Sequence, residues 1–346
     1  MSLTATLETL RATSDNAVKF RYLKTPLIIL GVGKLATDLC QVLTSKRLTL
    51  IEVVGLVDAN PSRVGEDICN SKIVGTYEEL FEIVGKYGVQ VIAVCLEDRR
   101  MILPMQSLLD LKAKGLNIVD GHQLYEQQSG RLSIDLLRPS VLIFSRGFRR
   151  RRYVMWVKRL LDLTFSIAGF LFFFPLFLVV AMLIKLDSTG PVFYRQVRVG
   201  LRSQPYMIWK FRSMRSDAEK NGPRWAEVGD SRISRVGRWL RKLHIDEFPQ
   251  LINIFKGEMS LVGPRPERPV FVQELRTKIP YYDIRHTLRP GLTGWAQINY
   301  QYGASTEDSY VKLQYDLFYV KNMNLALDLR IIIKTVRVVL LGEGAR

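Results

Sequence analysis

The acidic pair Asp246-Glu247, in the stretch "HIDEFPQ", is where chemistry is most concentrated in this chain. Pro249 follows two residues after Glu247. Proline is tolerated only in the first turn of a helix, so a helix is expected to begin close to it. Asp246 and Glu247 then stand at the positive end of that helix, which favours carboxylates and also attracts phosphate. An acid at that position is commonly no more than an N-cap. Its surroundings argue for more. Downstream, in "KGEMSLVGPRPERP", Arg265 sits between Pro264 and Pro266. The prolines fix the backbone, so the guanidinium is held where a two-pronged phosphate contact can form. Acids and a fixed guanidinium around one helix start imply a phosphate-bearing ligand.

These residues need elements to hold them. "GPVFYRQVRVGLRSQPYMIWKFRSM" reads as strand, turn, strand, with Arg195, Arg198, Lys210 and Arg212 at its polar positions. In "RISRVGRWLRKLHIDEFPQ", Ile233, Val236, Leu240 and Leu243 recur at helical spacing, with Arg235, Arg238, Arg241 and Lys242 elsewhere on the wheel. That is a basic amphipathic helix suited to a membrane interface.

The stretch "LTFSIAGFLFFFPLFLVVAMLI", Leu163 to Ile184, holds 22 residues without a charge. As a helix it would reach about 33 Å, enough for a hydrocarbon core of about 30 Å. Pro175 in its middle opposes a straight span. So does the charge on both flanks: Arg146, Arg149 to Arg152, Lys158 and Arg159 before it, Lys185, Arg195, Arg198, Arg202, Lys210 and Arg212 after it. Lys and Arg mark the cytoplasmic side, and a single crossing would strand one cluster on the wrong side. The expectation is therefore a re-entrant hairpin that turns at Phe174-Pro175 and keeps both clusters against anionic headgroups. Backbone groups freed at the break need partners, and Thr164 and Ser166 are the nearby hydroxyls.

Charge divides the chain. Residues 1–145 carry 16 Lys+Arg against 16 Asp+Glu, and residues 146–346 carry 34 against 17, so the net +17 lies wholly in the second part. A basic surface suits nucleic acid, anionic lipid or phosphate ligands, and the adjacent apolar run selects membrane plus phosphate. The expected organisation is a neutral domain over 1–145, a basic junction with the membrane helix over 146–190, and a basic domain over 191–346. The start "MSLTATLETLRATSDN" has no basic, apolar leader pattern. Cys40, Cys69 and Cys95 show neither metal spacing nor even pairing and suit buried thiols in a reducing compartment. Three histidines make a His-based metal site a poor expectation.

The neutral part alternates strands and helices: "TPLIILGVGKLATDLCQVLTSK", a strand "IEVVGLVDAN", a helix near "YEELFEIVGKYG", a strand "VQVIAVCLED", a helix near "PMQSLLDLKAKG" and a strand "LNIVD". That order implies an α/β domain with a doubly wound parallel sheet. The turn Gly31-x-Gly33-x-x-Ala36 could lay backbone N–H groups against a nucleotide phosphate, with Asp58 near a ribose hydroxyl. A glycine turn is equally the tightest path from strand to helix.

Residues 153–346 resemble the bacterial monotopic phosphoglycosyl transferases. The matching stretches are the membrane hairpin, "PVFYRQVRVG", "KFRSM", "RVGRWLRK", "DEFPQLINIFKGEMSLVGPRP", "RPGLTGWAQINYQYG" and "KLQYDLFYVKNMNLALDLRIIIKT", in the family's order. The neutral domain is similar to the Rossmann-like module often fused ahead of that catalytic domain. Larger relatives place four transmembrane helices before the module, and this chain shows no apolar run there. The family hairpin often breaks at Ser-Pro, where this chain has Phe174-Pro175. The resemblance implies a mixed α/β, helix-rich monotopic catalytic domain on the cytoplasmic face of the bacterial inner membrane. It implies a UDP-sugar and polyprenol (undecaprenyl) phosphate as substrates, Mg²⁺ as cofactor, and UMP as leaving group. The family's Asp-Glu pair maps onto Asp246 as nucleophile and Glu247 as the Mg²⁺ ligand or positioner, with Asp246 beside it. Arg265 would hold phosphate oxygens, with Lys210 and Arg212 second in rank and Glu258 and Asp316 secondary. The product would start exopolysaccharide or another glycan. The sequence names no particular sugar, and it leaves a homo-oligomer open.

Two other readings compete. Tyr206-x-x-x-Lys210 matches the Tyr-Lys spacing of short-chain dehydratases and epimerases, but it lies beyond the membrane segment in a strand-like context. A membrane-anchored regulator would explain the charge and the hairpin, but not Asp246-Glu247 beside Gly263-Pro-Arg-Pro266. No nucleic-acid partner is expected.

Overall fold

The computed structural model describes residues 24–45, 50–96, 103–135, 151–215, 230–300 and 305–341, with isolated positions between them. The N-terminal stretch "MSLTATLETLRATSDN" lies outside the described residues, as do Arg146, Arg149 and Arg150 of the basic junction and the end of "VQVIAVCLED". The chain divides into two compact units, Met1–Leu136 and Leu137–Arg346.

The first unit is a sheet with helices on both faces. Strands β1 (Thr25–Leu30), β2 (Ile51–Asp58), β4 (Ser71–Thr76), β5 (Val91–Val94) and β6 (Asn117–Asp120) run parallel, and β3 (Asp67–Ile68) pairs antiparallel at one edge. Among the described residues the order is β3-β4-β2-β1-β5-β6, so the winding reverses between β1 and β5. Alternation along β1 sets the layers. Leu27 and Ile29 join one core with Leu35, Leu39 and Leu43 of α1 (Lys34–Ser45) and Leu124 and Tyr125 of α4 (Gly121–Ser129). Ile28 and Leu30 join the other with Leu80 and Ile83 of α2 (Leu80–Tyr87) and Leu108 and Leu111 of α3 (Met105–Ala113). The parallel sheet expected from the alternating pattern is present. The hairpin of β3 and β4 and the helix α4 were not anticipated, because "SKIVGT" is short and carries a glycine inside it. Cys40 and Cys95 are buried, Cys69 is half-buried, and all three are free thiols.

In the second unit the apolar run belongs to one helix, α5 (Arg152–Asp187), with Pro175 inside it. Phe174-Pro175, where a turn was expected, lies within this helix. Proline removes one helix hydrogen bond but its φ is helical, so the helix carries through it. Thr164 and Ser166 donate to the carbonyls of Leu161 and Leu163 in their own helix, not to any freed group at the proline. One side of α5 packs on its own unit along its length. Near its start Lys158 pairs with Asp328 at 2.6 Å, and Asp162 accepts from Ser260 Oγ and the Leu261 N–H. Farther along, Phe173 meets the Phe248 ring at 4.5 Å between centroids, and Phe177, Val180 and Ile184 share a core with Phe211 and Leu240. The other side is apolar and open: Leu171, Phe172 and Leu186 are each at least 70% exposed.

The strands β7 (Phe193–Val199) and β8 (Pro205–Phe211) form the expected antiparallel hairpin, with Tyr194 opposite Lys210. The basic helix α6 (Arg235–Lys242) is capped by Ser234, whose hydroxyl accepts from the Gly237 N–H. It buries Leu240, but Leu243 of the anticipated apolar face is half exposed, alongside Trp239. A short 3₁₀ segment (Ile245–Gln250) leads into α7 (Leu251–Lys256), then β9 (Ser260–Val262), α8 (Pro269–Lys278) and a second 3₁₀ segment (Tyr282–Thr287). The strand β10 (Gly291–Thr293) pairs parallel with β9, followed by α9 (Trp295–Asn299), α10 (Thr306–Asn322) and α11 (Leu325–Leu341).

Candidate active site

The chain reverses after α6 through His244, whose φ of 55° is left-handed. The next residues wind into the 3₁₀ segment, which puts Asp246 and Glu247 in its first turn and Pro249 inside it. The anticipated helix start near Pro249 is thus a 3₁₀ turn feeding α7 at Leu251. Phe248, beside Glu247 in sequence, packs its ring at a tilt against Phe173 of α5, which ties this segment to the apolar helix.

Glu247 is clamped. Lys210, the next-to-last residue of β8, donates from Nζ to its Oε1 at 2.7 Å. Arg265 donates from Nη2 to the same oxygen at 2.6 Å and from Nη1 to Oε2 at 3.4 Å. Burial pushes the Glu247 carboxyl up, but the Arg265 guanidinium and the Lys210 ammonium outweigh it and hold the group well below the usual carboxylate range. Asp246 differs. It is 7% exposed, and among the described residues no donor hydrogen-bonds its carboxylate. Burial raises it above the ordinary value, Lys210 opposes this, and the neighbouring Glu247 charge adds to the rise. The pair is therefore one clamped anion beside one unclamped, desolvated carboxylate.

Arg265 reaches this place because its segment lies backbone to backbone against the one around Gly291. The Gly263 N–H donates to Thr293 O at 2.9 Å and the Gly291 N–H to Pro264 O at 3.0 Å. A side chain at Gly291 or Gly294 would run into the backbone of Gly263, so glycine is required for that approach.

The other expected site residues go elsewhere. Arg212 does not face the dyad. It donates to Ser188 O at 2.7 Å, Ser188 Oγ at 3.0 Å and Thr189 O at 3.1 Å, closing the C-terminal end of α5. Glu258 accepts from Asn253 Nδ2 at 2.7 Å, and the same fully buried Asn253 holds Met207 O and the Trp209 N–H, a structural knot between α7 and β8. Asp316, 2% exposed on α10, lies 2.8 Å from Arg285. Arg285 in turn donates to the carbonyl of Arg265 at 2.8 Å. Sequence reasoning missed Arg285, which sits in "YYDIRHTLRPG" without periodicity or motif to mark it. Tyr206 and Lys210 both lie on β8, and the Tyr206 hydroxyl is buried without a partner among the described residues.

Among the described residues no group of three or more metal-ligating side chains occurs. Two adjacent carboxylates still fit Mg²⁺, which takes one or two protein carboxylates and fills its remaining positions with water and substrate phosphate.

In the first unit, Gly31 has φ 106°, and a Cβ there would meet Cys95 O at 3.1 Å, so the turn itself demands glycine. Thr37 of α1 donates its N–H to Gly33 O at 3.1 Å. Asp58 accepts from the Ala59 N–H at 2.7 Å and pairs with Arg63 at 3.3 Å.

Residues 153–342 match the sequence profile of the bacterial sugar transferases. A UDP-N-acetylgalactosamine-undecaprenyl-phosphate N-acetylgalactosaminephosphotransferase of Aeromonas hydrophila is 43% identical over 224 residues, 65% of this chain and 52% of that protein. An undecaprenyl-phosphate glucose phosphotransferase of Komagataeibacter xylinus is 32% identical over 335 residues, 92% of this chain and 59% of that protein. The uncharacterized sugar transferase EpsL of Bacillus subtilis is 40% identical over 194 residues, 55% of this chain and 90% of that protein. The chain thus spans only a little over half the length of the first two.

Proposed function

Because the chain belongs to the bacterial sugar transferase family, we propose that it transfers a sugar-1-phosphate from a UDP-sugar to polyprenol phosphate and releases UMP. The observation that carries this reading is Asp246, buried and with no hydrogen-bond donor among the described residues, beside a Glu247 held by Lys210 and Arg265. An Asp246 oxygen attacks the β-phosphorus of the UDP-sugar. The bond from that phosphorus to the bridging oxygen breaks, and UMP leaves with the oxygen. A polyprenol phosphate oxygen then attacks the aspartyl-phosphosugar, the acyl-phosphate P–O bond breaks, and the Asp246 carboxylate is restored. Dividing the transfer in this way is nucleophilic catalysis.

Asp246 and Glu247 would hold Mg²⁺. When bound, the ion neutralises phosphate charge that would otherwise repel the incoming carboxylate. Lys210 and Arg265 are poised to turn from Glu247 to phosphate oxygens, and the fork of Arg265 suits two of them at once. The substrates in the relatives' names, a UDP-linked sugar and undecaprenyl phosphate, support this substrate class and leave the sugar open. The chain would then supply the first lipid-linked sugar of a glycan.

The site works at the inner-membrane surface, on its cytoplasmic face. The basic clusters on both flanks and the packing of α5 on one folded unit from Lys158 to Ile184 support a course that enters and leaves one leaflet on the same side. Its open face of Leu171, Phe172 and Leu186 meets lipid. Cysteines placed at Tyr153 and Gly190, with the native thiols replaced, should both label from the cytoplasmic side of sealed vesicles. Labelling from opposite sides would rule out re-entry.

The reaction is tested by incubating the purified chain with UDP-glucose, UDP-galactose and UDP-N-acetylated sugars. With one of them, labelled UMP should exchange into UDP-sugar without any polyprenol phosphate, and an acid-quenched sample should carry a phosphosugar adduct on the Asp246 peptide. Sequential kinetics with no exchange and no adduct would replace the covalent route by direct attack of the lipid phosphate.

A further inference from the structure

We propose that Asp316 and Arg285 are positioning residues for the transfer, fixing the backbone of Arg265 and through it the guanidinium that faces Glu247. The inference rests on the functional reading above.

The Arg265 segment cannot hold itself. Pro264 and Pro266 contribute no N–H donors to it. Its order comes instead from its three successive carbonyls, each taken by a donor from a different part of the unit. Pro264 O accepts from the Gly291 N–H at 3.0 Å, Arg265 O from Arg285 Nη2 at 2.8 Å, and Pro266 O from Arg198 Nη1 at 3.1 Å. The middle donor is the costly one. Arg285 is 6% exposed, and its charge is balanced by Asp316, 2.8 Å away, with the Tyr282 hydroxyl accepting from Nη1 at 2.6 Å.

A buried ion pair is weak evidence for stability, since well-packed apolar residues often do as well. What an apolar pair could not supply is a donor aimed at one carbonyl. The chain of contacts runs from Asp316 on α10, through Arg285, to the main chain of Arg265, and from its side chain to Glu247. Neither Asp316 nor Arg285 contacts Glu247; they act only through Arg265.

The test is a double-mutant cycle read in two ways on the full chain in detergent: UMP exchange into UDP-sugar and thermal midpoint. With Arg265 intact, Asp316→Asn should lower exchange about 100-fold, the scale expected when a reacting group is displaced by about 1 Å. In an Arg265→Ala background the same change should lower the residual exchange less than about threefold, because the guanidinium it positions is gone. The drop in thermal midpoint should be the same in both backgrounds. Equal fold-losses of exchange in the two backgrounds would make the pair purely structural and overturn the proposal. Should Asp316→Asn fail to fold, Tyr282→Phe removes only the hydroxyl on Arg285, and its smaller loss should likewise vanish with Arg265→Ala. A wild-type chain that exchanged no UMP with any UDP-sugar would overturn the functional reading itself. An active wild type with additive losses would overturn only the positioning role.

Discussion

Each unit places a tight turn at the start of a helical segment with an acid near it, and the two turns differ in what the fold has brought to them. At Gly31-Gly33 the nearby Asp58 is satisfied locally, by the Ala59 N–H and by Arg63 five residues away. At Asp246-Glu247 the cations come from afar: Lys210 lies 37 positions from Glu247 and Arg265 lies 18. One carboxylate is clamped by them, and the other is buried with no donor among the described residues. The acid of the first turn is satisfied within its own stretch, and that of the second is held by side chains from a distant strand and loop.

The largest test of that contrast is a pair of substitutions. Asp246→Asn keeps the shape and removes the nucleophilic charge, so UMP exchange should fall by at least about 10⁴-fold. Gly31→Ala strains a backbone at φ 106° and presses on Cys95, so it should lower the thermal midpoint and leave exchange within about twofold. Comparable losses of exchange from both would erase the distinction between the turns.

Next in size is the clamp. Arg265→Lys keeps a charge but loses the fork that spans both Glu247 oxygens, and exchange should drop about 100-fold. Glu247→Gln should fall similarly and recover in part with raised Mg²⁺ if Glu247 holds the ion. Arg265→Lys with native exchange would show that a point charge suffices there.

Acid should separate the two carboxylates. On the proposed route Asp246 attacks as the carboxylate, and its folded pKa is raised, so exchange should decline, by about tenfold per pH unit, as pH falls through a value above the ordinary one. Glu247 is depressed, so its clamp survives to lower pH and its contribution to stability is lost only when pH falls below the usual range. Asp316 lies at about 6, pushed up by burial more than Arg285 can offset, so its linkage to folding favours lower pH: stability gained by holding its proton is lost as pH rises through 6. A rate profile flat between pH 7 and the ordinary carboxylate range would contradict the desolvated state of Asp246.

The parts of this site visible in the sequence were those whose geometry is local. "DEFP" placed two acids in a first turn, and "PRP" fixed an arginine, because proline constrains its immediate neighbours. Arg212 was misread for the converse reason. It lies just past the end of β8, and its partners, the carbonyls of Ser188 and Thr189, are brought to it by the end of a helix begun 60 residues earlier. Arg285 carried no signal at all, since a buried arginine is recognised only by the carboxylate and carbonyl the fold brings to it. Composition revealed the apolar helix, yet the continuous path through Pro175 depends on packing on either side, Phe173 on Phe248 and Phe177 on Phe211. In the first unit, strand and helix alternation sufficed for the parallel sheet, because each crossover buries its own face of alternating residues.

Arg212→Ala tests that correction with a smaller effect on catalysis. Removing charged hydrogen bonds from the end of α5 should cost about 2 kcal/mol or more and lower the thermal midpoint. The KM for UDP-sugar should stay within about twofold, since the guanidinium does not face the dyad. A raised KM at unchanged stability would return Arg212 to the phosphate site.

The smallest expected effect concerns the first turn itself. The winding reverses between β1 and β5, the position where doubly wound sheets take ligands, and Gly31-Gly33 lies at that edge. We propose, from the sequence pattern, that a nucleotide can seat there, with Asp58 on a ribose hydroxyl. The hydroxyl must compete with Arg63, which already holds Asp58 at 3.3 Å, so binding should be weak. Calorimetry of the full chain carrying Asp246→Asn, with NAD, UDP and UDP-sugar in turn, should show any such site apart from turnover, and Asp58→Ala should weaken it by about 1 kcal/mol, one hydrogen bond's worth. Arg63→Ala frees the carboxylate and should strengthen a ribose contact by a similar amount. If neither substitution changes the heat of any ligand, the turn is a connector, and the difference between the two units is complete: one carries the chemistry, and the other has a glycine only because the chain must pass close to Cys95.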